Sequence, residues 1–288
     1  MVTPTSGQQE MLDQLTTEPG ANHSWQINLA GKVVAITGAN QGIGLGLAEV
    51  CLDNAADTIY SLDIKEPGTD FTALQERHKN LKYIQTDVTQ KSSIQEAILA
   101  IYSAEGRLDG FVANAGMTKH QPALNFDEEQ LHQIFELNAS FHSFSFESKV
   151  FGTYHCATAI AQTWIDRGIK GSIVFTASMT SYRPNRAAPS APYGGTKAAI
   201  RNMAHTLAME WAKHGIRVNS VSPGFVRTAM TTYMEGSPDW ELKMKYYGGM
   251  PRLARPQELG GAYVYLLSDA ATYTTGIDIP VAGVVGAW

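Results

Sequence analysis

Lys32-Val-Val-Ala-Ile-Thr37 runs directly into Gly38-Ala-Asn-Gln-Gly-Ile-Gly44, and that turn into a helix-like stretch ending near Asn54. A short unbroken apolar run is how a strand buried on both faces reads. Gly38 lets the chain turn tightly. Gly42 and Gly44 remove the Cβ atoms that would block an anion or hold the helix off the sheet. The helix then opens with free N–H groups, a setting that suits a pyrophosphate. Glycine-rich turns also occur for structural reasons alone. The place of this one, after a strand and opening a helix, marks it as a dinucleotide site. Its candidate contacts are Gly38, Asn40, Gln41, Gly42, Ile43 and Gly44.

The same alternation continues along the chain. Further strands are expected at 58–63, 81–86, 108–113, 172–177, 216–221 and 278–281, with helices near 42–54, 92–104, from 127, 193–213 and 256–267. Strands alternating with helices imply right-handed crossovers and a parallel sheet covered on both faces. The expected fold class is α/β, one doubly wound domain over 28–288, preceded by a polar arm at 1–27. Of the 288 residues 44% are hydrophobic and 17% charged, enough for a sizeable core. A net charge of −5 argues against a broad nucleic-acid surface. Apolar runs stay shorter than the roughly 18 residues a membrane span needs. Cys51 and Cys156 form no metal or disulfide motif and read as buried thiols of a reducing compartment. The scattered His120, His142, His155 and His205 give no ligand spacing, so no metal is expected. A soluble, cytoplasmic protein is the expectation.

Asp63 ends the second strand, about 20 residues past the glycines, where an acid accepts hydrogen bonds from an adenosine ribose and repels a 2′-phosphate. Neither Asn40 nor Gln41 offers that phosphate a cation. NAD(H) is therefore favoured, while Lys65 nearby keeps NADP(H) in play.

Tyr193-Gly-Gly-Thr-Lys197 puts a phenol and an ammonium four residues apart, on one helix face. A free tyrosine, with a pKa of about 10, is a poor base near neutrality. A neighbouring ammonium and an oxidised nicotinamide stabilise the phenolate. Ser178 follows strand five, where its hydroxyl can hydrogen-bond a substrate oxygen as charge develops. Thr180 and Ser181 are alternatives for that role.

This ordered set resembles the short-chain dehydrogenase/reductase superfamily: TGxxxGIG at Thr37–Gly44, Asp87-Val88, Asn114-Ala115-Gly116, Ser178, Tyr193xxxLys197 and Pro223-Gly224. The resemblance spans about 28–288 and implies a Rossmann-like domain with a seven-stranded parallel sheet. It further implies that Asp87 and Val88 face the adenine, that Asn114 supports sheet and cofactor pocket, and that Lys197 holds the nicotinamide ribose. Ala115, Gly116, Pro223 and Gly224 border the cofactor, and Val226 and Thr228 contact its carboxamide. The later half is similar to fungal polyol and ketose reductases, through Ala177-Ser-Met, Leu207-Ala-Met-Glu-Trp-Ala212, Arg217-Val-Asn-Ser-Val-Ser-Pro-Gly224 and Tyr273-Thr-Thr-Gly276. The activity implied is hydride transfer between a ketone and a secondary alcohol, with a small carbonyl or alcohol as partner and a homo-oligomer, tetramer or dimer, as the assembly.

Two departures stand out. The family's relay asparagine precedes a glycine by three residues. Here Asn138 and Val150-Phe-Gly152 are separated by Ala139–Lys149, so either Asn138 keeps the role or Lys149 takes it. That segment reads as a surface loop, a subunit contact or a flap. At the C-terminus, Val281-Ala-Gly-Val-Val285 replaces the family's V-D-G-G-Y and points to altered specificity. The loop at 226–250, bulky with Met230, Met234, Trp240, Met244, Tyr246 and Tyr247, reads as a substrate lid or as packing. A non-redox use of the fold, as scaffold, cyclase or isomerase, is the alternative function.

Overall fold

In a computed structural model, the described residues are 26–138, 152–185, 189–231, 238–239, 242, 249–250 and 252–283. Seven strands form one parallel sheet: β1 Val33–Thr37, β2 Thr58–Asp63, β3 Leu81–Gln85, β4 Gly110–Ala113, β5 Gly171–Thr176, β6 Ile216–Pro223 and β7 Asp278–Val281. Their spatial order is β3-β2-β1-β4-β5-β6-β7, so the order reverses between β1 and β4. In doubly wound sheets, ligands bind outside the carboxyl ends of the strands at that switch point.

Among the described residues the helices are α1 Gly42–Asp53, α2 Thr69–Arg77, α3 Lys91–Glu105, α4 Glu128–Asn138, α5 Gly152–Arg167, α6 Ala191–Trp211 and α7 Gly260–Leu267. The strand period of two sends successive side chains to opposite faces. Val33 and Ala35 join Phe111, Phe175 and Val218 on one face, beneath Ile98, Ile160 and Ile200 of α3, α5 and α6. Val34 and Ile36 join Val112 and Val174 on the other, beneath Leu47 of α1, Phe71 of α2 and Tyr263 of α7. Burying a Val, Leu, Ile or Phe side chain stabilises by roughly 1.5–3 kcal/mol, so both faces contribute heavily. Cys51 and Cys156 are fully buried in these layers, and burial lifts both thiols to about 12.

One feature differs from expectation: the α2 helix stands where the pattern gave no helix. The helix from Glu128 is described to Asn138, and another from Gly152. The residues between, including Lys149, lie outside the described ones. So do most of the arm at 1–27 and the lid candidates Met234, Trp240, Met244, Tyr246 and Tyr247.

No helix among the described residues is long and apolar enough to cross a membrane.

Candidate active site

The turn after β1 is built around bare backbone. Gly38 and Gly42 hold φ of +66° and +58°, conformations that favour glycine. A Cβ on Gly44 would strike the Gly38 carbonyl oxygen and lie 2.8 Å from both Ala39 Cα and Asn114 Nδ2. Only glycine permits helix α1 to start this close to the sheet. The cradle fits a dinucleotide: its glycines leave room for a pyrophosphate, and Gln41 at the helix start makes no side-chain cap that would cover the first amides.

Asn114, following β4, stitches three strands together. Its Nδ2 donates to the Thr37 carbonyl at 3.0 Å, its Oδ1 accepts from Thr176 Oγ1 at 3.2 Å, and its N–H donates to Thr37 Oγ1 at 2.9 Å. The Ala115 N–H donates to the same Thr37 oxygen.

At the β2 end, the Asp63 carboxylate accepts the N–H groups of Asn40 and Lys65, both at 3.1 Å. Asn40 is braced in turn by Ser61 Oγ at 2.7 Å and by its own bond to the Lys65 carbonyl. Asn40 and Asp63 thus hold the turn in place, a bracing role the sequence did not disclose. At the next strand end, Asp87 accepts from Thr89 N–H and Oγ1, and buried Val88 packs toward Gly152.

The reactive groups gather beside this turn. Pro192 in the first turn of α6 pre-sets the helical φ, and Tyr193 follows it. The Ser178 side chain lies near enough to the Tyr193 phenol to affect its acidity. Burial raises the phenol above its ordinary 10, and the Ser178 side chain pulls it back. One turn on, Lys197 Nζ stands 5.7 Å from the centre of the Tyr193 ring and donates to the Thr176 carbonyl at 2.7 Å. Thr180 Oγ1 and N–H both donate to Ser178 Oγ. The Ser181 hydroxyl makes no hydrogen bond to the pair, while its N–H donates to the Ser178 carbonyl at 2.9 Å.

Asn138 is fully buried at the last residue of α4. Its amide grips the backbone of Met117, accepting the N–H at 3.1 Å and donating to the carbonyl at 2.8 Å. A Cβ on Gly116 would lie 2.9 Å from Asn138 Oδ1 and 3.4 Å from Lys197 Nζ, so both polar groups border the same bare backbone. Where α5 begins, a Cβ on Gly152 would lie 2.7 Å from the Leu137 carbonyl oxygen. The chain therefore returns to where it left. Excising 139–149 is expected to give a folded protein that still turns over. Shortening a connection whose ends already meet costs little, as closure entropy changes by only about 0.6 kcal/mol per doubling of length. Loss of turnover in a folded deletion variant would mean that the segment itself shapes the site.

Burial holds the Lys197 ammonium down at about 8, from an ordinary 10.5. The unfolded chain then binds more protons than the folded one between those values, so stability rises with pH across that window. Lys197→Met abolishes this titration. The melting-temperature difference, variant minus wild type, is expected to be largest at pH 7 and to shrink as pH rises from 8 to 10. A pH-independent difference would show a solvated ammonium.

The loop after β6 closes the far side. A Cβ on Gly224 would press on Ala282 at 2.7 Å, so the altered C-terminal segment leans directly on Pro223-Gly224. Val226 bridges to Ala254, and the Thr228 side chain lies 3.5 Å from where a Gly42 Cβ would sit. Thr228 thus faces the glycine turn. Sequence reasoning missed Thr176 and Met117, which act through a hydroxyl and through backbone atoms.

The family model described as Enoyl-(Acyl carrier protein) reductase matches residues 38–283. Sorbose reductase of Candida albicans is 34% identical over 261 residues, covering 89% of this chain and 87% of that protein. NADP-dependent mannitol dehydrogenase of Hypocrea jecorina is 30% identical over 273 residues, covering 92% and 96%. The crystal structure of a gluconate 5-dehydrogenase from Burkholderia cenocepacia, in complex with NADP and tartrate, superposes with a TM-score of 0.77. It is 27% identical and covers 91% of this chain and 98% of its own. The similarity to fungal polyol and ketose reductases read from the later half of the sequence recurs in these relatives. Because matches at 30% identity and above run nearly the whole length of both partners, this chain belongs to the short-chain dehydrogenase/reductase family.

Proposed function

We propose that the protein is a nicotinamide-dependent reductase of ketoses or related polyhydroxylated ketones, running in reverse on the matching polyols. One observation carries the reading: the Lys197 ammonium stands 5.7 Å from the centre of the Tyr193 ring, and the Ser178 side chain pulls the same phenol back toward its ordinary range. Gly38, Gly42, Gly44 and Asn114 would hold a nicotinamide cofactor, which would supply or accept a hydride at the substrate carbon when bound. Ser178 holds the substrate oxygen. Tyr193 gives that oxygen its proton during reduction and takes it back during oxidation. Lys197 keeps the phenolate accessible near neutrality, and Asn138 and Lys197 return the proton through water. The names of the sugar-acting relatives support the substrate class. The intact trio of Ser178, Tyr193 and Lys197 disfavours a scaffold, cyclase or isomerase.

The reading includes a preference for NAD(H), argued from the negative charge of Asp63 where a 2′-phosphate would lie. A relative named as NADP-dependent and the engagement of both Asp63 oxygens with backbone amides favour NADP(H) as the second reading. The reading also includes a cytoplasmic homo-oligomer, tetramer or dimer, supported by two free buried thiols and by the well-exposed Met209 and Tyr273.

The test titrates NADH against NADPH, then follows nicotinamide absorbance with sorbose, fructose and mannitol. Oxidation of reduced cofactor by a ketose is the expected result. Asp63→Ala is expected to shift preference toward NADPH by roughly tenfold or more, as losing one charge interaction worth about 1.4 kcal/mol would. Unchanged preference assigns Asp63 to bracing alone. Cofactor binding with no turnover of any polyol or ketone overturns the redox reading.

A further inference from the structure

Ser178 and Tyr182 flank a single 3₁₀ turn, Met179–Ser181, one residue at each end. The turn is tightly bonded within itself. The Ser181 N–H donates to the Ser178 carbonyl at 2.9 Å, and the Tyr182 N–H to the Met179 carbonyl at 3.0 Å. Thr180 holds Ser178 Oγ through its N–H at 3.2 Å and its Oγ1 at 3.0 Å. A displacement of Tyr182 is therefore passed along the turn to the Ser178 hydroxyl.

Tyr182 is gripped from two sides. Its hydroxyl donates to Asp278 Oδ2 at 2.6 Å. Asp278 opens β7 opposite Ser220 of β6, and its other oxygen accepts from Ser220 Oγ and, at 3.0 Å, from Ser222 Oγ. The carboxylate is thereby fixed to the sheet. Burial and the Asp278 bond raise the Tyr182 phenol above its ordinary 10, against the pull of Arg201, so it stays a proton donor at neutral pH. On its ring face, the Arg201 guanidinium stands 4.0 Å from the ring centre, a cation–π contact.

Arg201 belongs to the reactive helix. Tyr193, Lys197 and Arg201 recur every four residues along α6 and so share one face of it. The face that bears the phenol and its ammonium also grips the far end of the Ser178 turn. The turn is thus tied to α6 through Arg201 and to the sheet edge through Asp278, with Tyr182 as the common point.

We propose that Tyr182 is a positioning residue for the hydride-transfer reaction: clamped between the Arg201 guanidinium and the Asp278 carboxylate, it sets where the Ser178 hydroxyl stands relative to Tyr193. The proposal rests on the redox reading of Ser178 and Tyr193 and goes past it in naming what holds the two apart at the working distance.

The test measures kcat and KM with sorbose, fructose or 2-hexanone, whichever wild type turns over fastest. Tyr182→Phe removes the bond to Asp278 and keeps the ring under Arg201. It is expected to lower kcat by about tenfold, a fraction of the roughly hundredfold that a 1 Å misplacement can cost, with cofactor affinity unchanged. Tyr60→Phe is the control. It loses a comparable bond to Glu105, at 2.7 Å and between β2 and α3, and should leave kcat unchanged. Arg201→Met is expected to lower kcat by about threefold, as a partly exposed cation–π contact would, and carries the test if Tyr182→Phe fails to fold. In a Ser178→Ala background the same substitutions should lower kcat by less than about twofold, because residues acting through one another are not additive. Full activity of Tyr182→Phe and Arg201→Met overturns the proposal. So does an undiminished loss in the Ser178→Ala background, which assigns Tyr182 to stability alone. Should wild type turn over none of the three, the redox reading falls and NMR of protein labelled at tyrosine Cζ decides the positioning. A Tyr193 resonance that Tyr182→Phe moves in the direction given by Ser178→Ala sustains it, and an unmoved one overturns it.

Discussion

Tyr193→Phe is expected to lower kcat by roughly a thousandfold, within the 10²–10⁴ range typical of a lost general acid or base. Cofactor affinity should stay within about twofold of wild type. The change removes one oxygen atom and nothing else. Phenylalanine keeps the ring beside the Lys197 ammonium, 5.7 Å from the ring centre, and keeps the helix start that Pro192 pre-sets. What disappears is the hydroxyl near Ser178 and its transferable proton. The substrate oxygen then retains one hydroxyl to hold it and none to protonate it. Stopped-flow absorbance for turnover and fluorescence titration for cofactor binding separate the two effects. Turnover within tenfold of wild type would remove Tyr193 from the chemistry and with it the mechanism argued above.

Gly44→Ala is expected to weaken cofactor binding by about a hundredfold, equivalent to roughly 2.8 kcal/mol. It should also lower the melting temperature by several degrees. The added methyl meets the Gly38 carbonyl, Ala39 Cα and Asn114 Nδ2, all closer than a real Cβ tolerates. Two of these are backbone atoms, so the turn itself must shift. Asn114 must shift too, and its bonds to the Thr37 and Gly38 carbonyls tie β1 to β4. Overpacking of this kind typically costs 1–3 kcal/mol. Gly261→Ala in α7 is the control, since nothing stands within 4 Å of its added methyl. Alanine there should stabilise slightly, by about 0.5–1 kcal/mol, because it orders a helix at less entropic cost than glycine. Equal behaviour of the two variants would mean that the cradle yields to a methyl and does not depend on close packing.

The seven strands were legible because a parallel sheet covered on both faces demands continuous apolar runs, as in Val33–Thr37 and Thr58–Asp63, buried along their whole length. Helix α2 escaped notice because only Phe71 and Leu74 are buried along Thr69–Arg77, too few to set a period. In the site, Ser178, Tyr193, Lys197 and the glycines announced themselves by residue type and order. Thr176 and Met117 gave no such signal, because the Thr176 carbonyl holds Lys197 and the Met117 backbone holds Asn138. Any residue carries those groups. Asp63 was read as a ribose acceptor, yet its oxygens take the amides of Asn40 and Lys65, bonds that only folding brings together. The choice between Asn138 and Lys149 stays open in the sequence, and Lys149 lies outside the described residues.

The return of the chain to Leu137 at Gly152 makes the molecule adaptable in a practical sense. The backbone departs after Asn138 and resumes at Gly152 within contact of Leu137, so whatever is threaded through this seam need not stretch the fold. An affinity tag or a fluorescent reporter grafted between these two residues would be carried as cargo. It would be joined next to Asn138, whose buried amide holds the Met117 backbone.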